Sequence, residues 1–236
     1  MNEHVRALAT LIAMSVPSVA IVGGTGKLGA ALARRWAQAG YKVVIGSRDG
    51  ARAKEVAEAL GRELGRHIDH DLNRPAAERG EIVVVTVPYA AQGETLAEIR
   101  AAVLGKIVVD TTVPLVPPKV MRVQLPPEGA AAVRAQRLLG DAVTVVSAFH
   151  NVAADKLATD DVIDCDVLIF SDEPAARSRV VELVRAAGLR AIEGGVLANS
   201  AAAEALTSVL IFINKKYRVD GAGVRITGGL TEPDDE

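Results

Sequence analysis

Six residues near the start of the chain form a glycine-rich segment whose spacing suits phosphate binding. The segment reads Gly24-Thr25-Gly26-Lys27-Leu28-Gly29, a G-x-G-x-x-G between an apolar run and a helical pattern. In that context the first glycine permits a tight turn, the second lets the backbone approach a pyrophosphate, and the third allows close helix packing. N–H groups at the helix N-terminus add donors and a positive dipole end. The motif predicts a dinucleotide site; the alternative is a glycine turn that binds nothing.

Hydroxyl and basic side chains follow the second apolar run, where a dinucleotide fold presents its selectivity residue. Ser47 lies about 20 residues after Gly24, which is the spacing expected for a ribose contact. Arg48 is able to pair with a 2′-phosphate and stack on adenine, so the sequence predicts NADP(H). Asp49 is a second candidate for the ribose, but we prefer it as the N-cap of the next helix. Arg52 is either a second cation for the phosphate or an exposed surface arginine.

Two later segments are expected to line the nicotinamide. Thr86-Val87-Pro88 and Asp110-Thr111-Thr112-Val113-Pro114 each begin at the end of a predicted strand. Ligands of open parallel sheets bind at this carboxyl edge. A purely structural turn stiffened by proline is the alternative for each segment.

The histidines fall into two contexts. His150, within Ser147-Ala148-Phe149-His150-Asn151, lies where a first unit ends and a second begins, so we expect a ligand contact in a cleft rather than a packed hinge residue. The segment His67-Ile68-Asp69-His70-Asp71 resembles a small metal cluster. It lacks cysteine and a supporting helix, however, so the sequence predicts no metal site.

The composition narrows the class of protein. Of 236 residues, 50% are hydrophobic and 24% charged, which excludes a disordered chain. A net charge of -2 and only three Phe, three Tyr and one Trp disfavour nucleic-acid binding. The single cysteine, Cys165, excludes an internal disulfide and agrees with a cytoplasmic location. No uninterrupted apolar run reaches the ~18 residues of a membrane helix, which predicts no membrane partner.

The elements that must position these residues alternate along the chain. Short β-branched runs and alanine-rich helical patterns predict an α/β fold, a Rossmann-type doubly wound parallel sheet with a second, smaller α/β domain. The predicted strands of the sheet are Val19–Val22, Lys42–Ile45, Ile82–Thr86, Ile107–Asp110 and Thr144–Ser147, with a weaker one at Arg66–Ile68. The predicted helices between them are Lys27–Ala39, Ala51–Leu64, Ala91–Val103 and Gly129–Leu139.

After residue 150 the pattern starts again. The predicted elements are a strand at Asp166–Phe170, a helix at Glu173–Ala187, a strand at Leu189–Ile192 and a helix at Ser200–Tyr217. The run from Leu206 to Ile213 is apolar all round, which predicts burial on more than one face and favours a dimer interface. The predicted domains are an N-terminal extension (1–16), an NADP-binding Rossmann domain (17–147), a smaller α/β domain (148–230) and an acidic tail (231–236).

Taken together, these motifs resemble the NADPH-dependent reductases of the deazaflavin coenzyme F420, also called F420-dependent NADP oxidoreductases. The likeness runs from Val19 to about Gly228. It rests on the glycine segment, on Ile45-Gly46-Ser47-Arg48 and Thr86-Val87-Pro88, and on two motifs of the second unit, Val146-Ser147-Ala148-Phe149-His150-Asn151 and Leu197-Ala198-Asn199-Ser200 before Glu204-Ala205-Leu206-Thr207.

The resemblance implies a reaction and its partners. The chain would pass a hydride between NADP(H) and coenzyme F420, its second substrate, as a cytoplasmic homodimer. Thr25, Ser47, Arg48 and Arg52 would hold the 2′-phosphate end of the nucleotide. His150, Asn151 and Val152 would border the deazaflavin, with His150 positioning the ring and no side chain acting as a certain catalytic group.

The anionic tail of F420 would need cations. Ala201 stands where many members carry a basic residue. The cationic cluster of the second unit is the alternative anchor, unless it is an ordinary helix end in water; it comprises Lys215, Lys216, Arg218 and Arg225.

Two other functions compete with this reading. One is an NADPH-dependent reductase of another small acceptor, such as an imine, a flavin or a ferric chelate. The other is a non-catalytic NADPH-sensing protein that binds a partner through its second domain.

Overall fold

The computed structural model describes residues 16–231 of the chain. Apart from one residue each, the predicted N-terminal extension and acidic tail lie outside the described residues.

Six parallel strands form the main sheet, in the order β3-β2-β1-β4-β5-β6. They are β1 Val19–Val22, β2 Val43–Ser47, β3 Asp69–Leu72, β4 Ile82–Val85, β5 Ile107–Asp110 and β6 Thr144–Ser147. In the middle of the sheet, Val19 pairs with Val43 on one side and with Ile82 on the other. The strand order reverses beside β1, which is where ligands bind in doubly wound folds. The predicted Rossmann-type fold is confirmed.

Helices connect the strands and cover both faces of the sheet. In the first part of the chain they are α1 Lys27–Gln38, α2 Gly50–Leu64, α3 Asn73–Arg79, α4 Tyr89–Ile99 and α5 Ala131–Leu139, with a 3-10 turn at Arg100–Val103. The second unit contains α6 Ala154–Leu157, β7 Asp166–Ile169, α7 Pro174–Ala186, β8 Arg190–Glu193, a 3-10 turn at Leu197–Asn199 and α8 Ser200–Tyr217. Strands β7 and β8 pair in parallel as a separate two-stranded sheet.

The structure corrects the prediction for the third strand. The weak strand expected at Arg66–Ile68 is instead β3, a few residues later, and Asp69 of β3 pairs with Val44 of β2. The backbone N–H of Arg66 still closes the end of α2 by donating to Gly61. Strand β3 is polar and its residues are partly exposed, so apolar periodicity could not locate it.

The core follows from the alternation of side chains along the buried strands. Val19 and Ile21 of β1 point into one apolar cluster, and Ala20 and Val22 point into another on the opposite face of the sheet. The first cluster continues into the second unit. The buried indole N–H of Trp36 also donates to the carbonyl of Leu183, at 2.8 Å. Apolar packing therefore crosses the boundary proposed at residue 147, and the division into two domains stays a prediction.

One stretch, Leu197–Tyr217, is long and apolar enough to cross a membrane by length and composition alone. A core helix of a soluble protein passes the same test. This stretch includes α8, which buries the polar side chains of Ser200, Glu204 and Ser208 against the protein. One face of α8 therefore packs against the protein, while 33% of the stretch as a whole is buried.

Candidate functional site

The glycine segment begins at the end of β1, and its sharpest turn lies one residue earlier than predicted. Gly23 has φ +77°, so this position, and not Gly24, takes the left-handed conformation that favours glycine. Gly24 donates its N–H to the carbonyl of Gly46, at 2.9 Å. A Cβ atom on Gly24 would lie only 2.8 Å from the carbonyl oxygen of Ile21. Both glycines are therefore required by the turn.

The other two glycines differ in what the structure shows: Gly29 has the packing role that the sequence predicts, and the role of Gly26 beside a pyrophosphate stays a prediction. A Cβ atom on Gly29 would lie 2.6 Å from Thr86 Oγ1 and 2.7 Å from Gly24 Cα, so α1 packs closely on the sheet because Gly29 has no side chain. Gly26 is the N-cap of α1 and provides no side-chain hydrogen bond to that helix end. The N–H groups of the first turn are thus left without a capping side chain, as an anion site requires.

A cavity of about 300 Å³ opens above this turn. It brings together eight of the predicted binding residues, namely Thr25, Gly26, Ser47, Arg48, Arg52, Thr86, Val87 and Pro88. Gly23, Asn73, Ala91 and Thr95 complete the lining. The sequence analysis did not identify Asn73 as a lining residue, because its position depends on where β3 ends. The sequence contains only a weak signal for this role, an asparagine between a strand and a helix.

Four predicted residues of the glycine segment lie outside this lining. Gly24 and Gly29 are buried beneath the turn, and Leu28 packs against the core. Lys27 faces a second groove between α1, α2 and α6, where its Nζ lies 3.1 Å from the carboxylate of Asp155. Gly24 and Gly29 thus shape the turn and Leu28 anchors it to the core, whereas Lys27 forms an ion pair on another face of the protein.

The residues at and after the end of β2 have two kinds of role: Asp49 caps α2, and Arg48 and Arg52 bring positive charge to the cavity. The Asp49 carboxylate accepts the N–H groups of Ala51 and Arg52, at 3.0 and 3.2 Å, which confirms the preferred role of N-cap. Ser47 is buried, and its hydroxyl accepts the N–H of Asp49. Arg48 and Arg52 both reach the cavity. The carboxylate that follows Arg48 is therefore committed to the helix end, and two guanidinium groups remain for an anionic ligand.

The two loops expected beside the nicotinamide differ. Thr86 donates its hydroxyl to the carbonyl of Val22, at 3.1 Å, and the rest of its loop lines the cavity. Residues 110–114 do not contribute to that lining. The hydroxyl of Thr111 is instead donated to the carbonyl of Val85. This bond stabilises the second loop as a turn, and its place beside the nicotinamide stays a prediction.

Beside that loop lies a buried network of polar groups that the sequence analysis did not identify. Asp110 accepts a hydrogen bond from Gln92 Nε2 at 2.6 Å, and burial raises the pKa of Asp110 to about 6. Glu204 of α8 accepts the N–H groups of Ala131 and Ala132 at the start of α5, at 2.6 and 3.1 Å. Burial raises the pKa of Glu204 to about 7, and the charge of Asp110 adds to this rise. The sequence signal that could have identified Glu204 is a charged residue within an otherwise apolar helix.

The segment His150-Asn151-Val152 is buried rather than exposed at a cleft. The imidazole Nε2 of His150 lies 3.1 Å from the hydroxyl of Ser147, and its Nδ1 has no partner among residues 16–231. Burial lowers the pKa of His150 to about 4, so the ring is neutral at physiological pH. Asn151 donates its amide to the carbonyl of Asp166. In the free chain His150 is thus a packed residue, which the sequence analysis considered as the alternative to a ligand contact. A role beside a ligand stays a prediction.

Some members of the remaining charged clusters form ion pairs within the protein. Asp69 forms an ion pair with Arg79, at 2.8 Å, beside the histidines that resembled a metal cluster. Within the described part of the chain, no group of three or more His, Cys, Asp or Glu residues is placed to hold a metal ion. Arg225 pairs with Asp164, while Lys215 and Lys216 lie exposed at the end of α8.

The cavity fits the phosphate-bearing half of NADP(H). A Cβ atom on Gly26 would lie 3.4 Å from the carbonyl oxygen of Gly23, an ordinary contact, so packing within the protein does not itself require glycine at this position. The uncapped start of α1 supplies N–H donors, and Arg48 and Arg52 supply positive charge. This combination suits a pyrophosphate next to a second phosphate group.

Comparison with known proteins gives consistent matches. Residues 18–114 match the family model described as NADP oxidoreductase, coenzyme F420-dependent. The chain is 40% identical over 226 residues to the F420-dependent NADP reductase of Methanothermobacter thermautotrophicus, covering 92% of this chain and 97% of that protein. It is 38% identical over 219 residues to the F420-dependent NADP reductase of Methanocaldococcus jannaschii, covering 89% and 97%.

A solved structure agrees in fold. A crystal structure from Arthrobacter sp. FB24, described provisionally as an F420-dependent NADP reductase, matches with a TM-score of 0.78 and 24% identity. The match covers 90% of this chain and 100% of that chain. At this level of identity the likeness supports the α/β fold alone.

Proposed function

The chain belongs to the family of coenzyme F420-dependent NADP oxidoreductases, and from this membership we infer that it transfers a hydride between NADP(H) and the deazaflavin coenzyme F420. The observation that carries the proposal is the cavity at the carboxyl edge of β1 and β2. There a glycine turn built for a pyrophosphate faces two arginines suited to a 2′-phosphate.

The protein contributes binding and orientation to this reaction. When bound, the nicotinamide and the deazaflavin supply the redox chemistry themselves, so the chain needs no nucleophile and no acid–base pair. Thr25, Ser47, Arg48 and Arg52 hold the phosphates and the ribose of the nucleotide. Val87 and Pro88 provide an apolar wall that limits the access of water and fixes the direction of the nucleotide.

We further propose that residues 150–152 border the deazaflavin. The carbonyl of His150 accepts the hydroxyl of Thr207, at 2.8 Å, which ties this segment to α8. All three residues are buried in the free chain, so a ring bound beside them would lie against the surface that covers them. In this proposal the neutral imidazole of His150 is a positioning group and transfers no proton.

A redox assay tests the function. With NADPH in excess, the purified protein is expected to bleach the deazaflavin absorbance of F420, and with reduced F420 and NADP⁺ to restore it. NADH in place of NADPH serves as the control and is expected to react more slowly. A protein that binds NADPH but leaves the F420 absorbance unchanged in both directions would contradict the proposal. Imines, flavins and ferric chelates would then be the acceptors to test, and failure with all of them would indicate an NADPH sensor.

We propose that the active form is a cytoplasmic homodimer without nucleic-acid or membrane partners. In a single chain α8 leaves Val209, Phe212 and Tyr217 exposed. Ser208 contacts the carbonyl of Arg122, so the loop that carries exposed Met121 and other apolar residues lies beside this helix face. We name this surface the α8 patch; it comprises Val209, Phe212 and Tyr217 of α8 and Met121 of the neighbouring loop. Adjoining apolar groups of this kind favour association with a second copy.

Substitution of Phe212 by glutamate tests this assembly. Phe212 is 50% exposed, so the charge is tolerated in a single chain but must be buried without a partner in a dimer. We expect light scattering to give the mass of two chains for the wild-type protein and of one chain for Phe212→Glu. The matched control is Val162→Glu, since Val162 is 94% exposed and lies outside the α8 patch. A wild-type monomer at micromolar concentration would contradict the proposal.

A further inference from the structure

We propose that Asn73 has two tasks in the nucleotide site: its side-chain oxygen holds the glycine turn, and its side-chain amide donates a hydrogen bond to the adenosine half of the nucleotide. The inference rests on the proposed binding of a dinucleotide in the cavity but not on the identity of the hydride acceptor. None of the binding motifs in the sequence contains Asn73.

The first task follows from the contact between Asn73 and the turn. Asn73 is 4% exposed, and its Oδ1 accepts the backbone N–H of Gly23 at 3.2 Å. Gly23 is the residue with φ +77°, so the bond holds the turn at its sharpest position. Because a backbone N–H is only a donor, the oxygen of the side chain must face Gly23. The orientation of the Asn73 amide is therefore determined, and Nδ2 lies on the other branch.

The second task follows from the surroundings of that Nδ2 group. Asn73 lines the cavity together with Ser47, Arg48 and Arg52. It also lies close to the end of β2, because a Cβ atom on Gly46 would be 3.3 Å from Asn73 Oδ1. The side chain thus sits between the turn after β1 and the ribose-binding end of β2. Within residues 16–231 Nδ2 donates to no protein acceptor, and it is not among the fully buried unpartnered atoms, so it is open to the cavity.

An amide that is nearly buried and lines a cavity without a protein acceptor is suited to an acceptor on the ligand. The acceptors available at this position are the ribose oxygens and the ring nitrogens of adenine. NADP and NAD share both, so Asn73 is expected to add affinity for either nucleotide without discriminating between them. That behaviour separates its role from the role proposed for Arg48.

The variant Asn73→Asp separates the two tasks. A carboxylate still accepts the N–H of Gly23, but it replaces the Nδ2 donor by a charged acceptor facing the nucleotide oxygens. We expect Asn73→Asp to bind ADP-ribose about 10-fold or more weakly than the wild-type protein, by calorimetry. NADH should lose affinity by the same factor, and NADPH by at least that factor, because the new carboxylate also repels the 2′-phosphate. Asn73→Ala should also weaken binding and, in addition, lower the melting temperature of the free protein, since Gly23 loses its acceptor.

A second measurement needs no variant with altered folding. On addition of ADP-ribose to ¹⁵N-labelled wild-type protein, the side-chain NH₂ resonances of Asn73 should shift. Those of Asn199, whose Nδ2 donates to the carbonyl of Gly194, should not. Unchanged Asn73 resonances, or wild-type affinity of Asn73→Asp for ADP-ribose, would overturn the inference.

ADP-ribose carries no nicotinamide, which keeps this test independent of the redox assay. Tight ADP-ribose binding without F420 turnover would remove the proposed acceptor and leave the role of Asn73 supported by its own two measurements. A wild-type protein that binds neither ADP-ribose nor NADPH would overturn both.

Discussion

As the pH rises from 4.5 to about 8, the stability of the Glu204→Gln variant relative to the wild-type protein is expected to rise by about 3 kcal/mol. The cause is the buried position of Glu204, whose carboxyl group is 1% exposed at the start of α5. Burial raises the pKa of Glu204 from the ordinary value of 4.5 to about 7. Glutamine occupies the same space but has no proton to release.

The sign follows from the protons bound in each state. Between pH 4.5 and about pH 7, the folded wild-type protein keeps a proton on Glu204 that the unfolded chain has already released. The free energy of unfolding therefore falls as the pH rises through this window, and this contribution is fully present only below pH 4.5. Asp110 acts in the same direction, because burial raises its pKa to about 6. The glutamine variant removes the contribution of Glu204.

His150 opposes this trend in the wild-type protein. Burial lowers its pKa from 6.5 to about 4, so the unfolded chain binds the extra proton between these values and stability rises with pH. Both proteins share His150, so its contribution cancels when the variant is compared with the wild-type protein. The difference between the two is for this reason more informative than the stability curve of either one.

Urea unfolding at several pH values, from 4.5 to about 8, measures the difference. Glutamine keeps one acceptor for the two N–H groups of α5, so a constant loss of stability is expected at every pH in addition to the pH-dependent gain. Glu98→Gln is the matched control, because Glu98 is exposed on α4. A difference between Glu204→Gln and the wild-type protein that does not change with pH would show that Glu204 ionises normally in the folded state.

The Arg48→Ala variant should lose about 1.5 to 3 kcal/mol of NADPH binding, which is the usual loss for a charge-assisted hydrogen-bonded contact. Arg48 is exposed, reaches the cavity and follows the buried Ser47 at the end of β2. NADH lacks the 2′-phosphate, so its binding should change little. Calorimetric titration of both nucleotides against both proteins gives the comparison.

An arginine at the far end of α2, the helix that follows Arg48, provides the control. Arg62 is exposed in the last turn of α2, and Arg62→Ala should leave the binding of both nucleotides unchanged. Equal weakening of NADPH and NADH in Arg48→Ala would remove the 2′-phosphate contact from the proposal. Arg52 lines the same cavity, so part of the preference for NADPH is expected to survive in Arg48→Ala.

Local patterns in the sequence were sufficient for five of the six strands of the main sheet, whereas the helices Asn73–Arg79 and Ala154–Leu157 were not predicted. Buried strands are short and apolar, and helix ends carry their own signals, so α8 was predicted with the limits that the structure has. Asp49 was predicted as a cap because capping depends on residues two and three positions away. The glycine turn was predicted for the same reason, since its glycines lie within a few residues of one another. The positive φ falls on Gly23, one residue before the predicted Gly24.

Only the tertiary structure decided the contacts between residues far apart in the chain. Asn73 reaches Gly23 because β3 lies at the edge of the sheet and α3 returns beneath β1 and β2. Glu204 reaches the start of α5 because α8 packs against it. His150 is buried because the second unit covers the end of β6, which no periodicity around residue 150 indicates. Sequence patterns report which face of an element is apolar, whereas the partner of a polar side chain depends on how all the elements pack together.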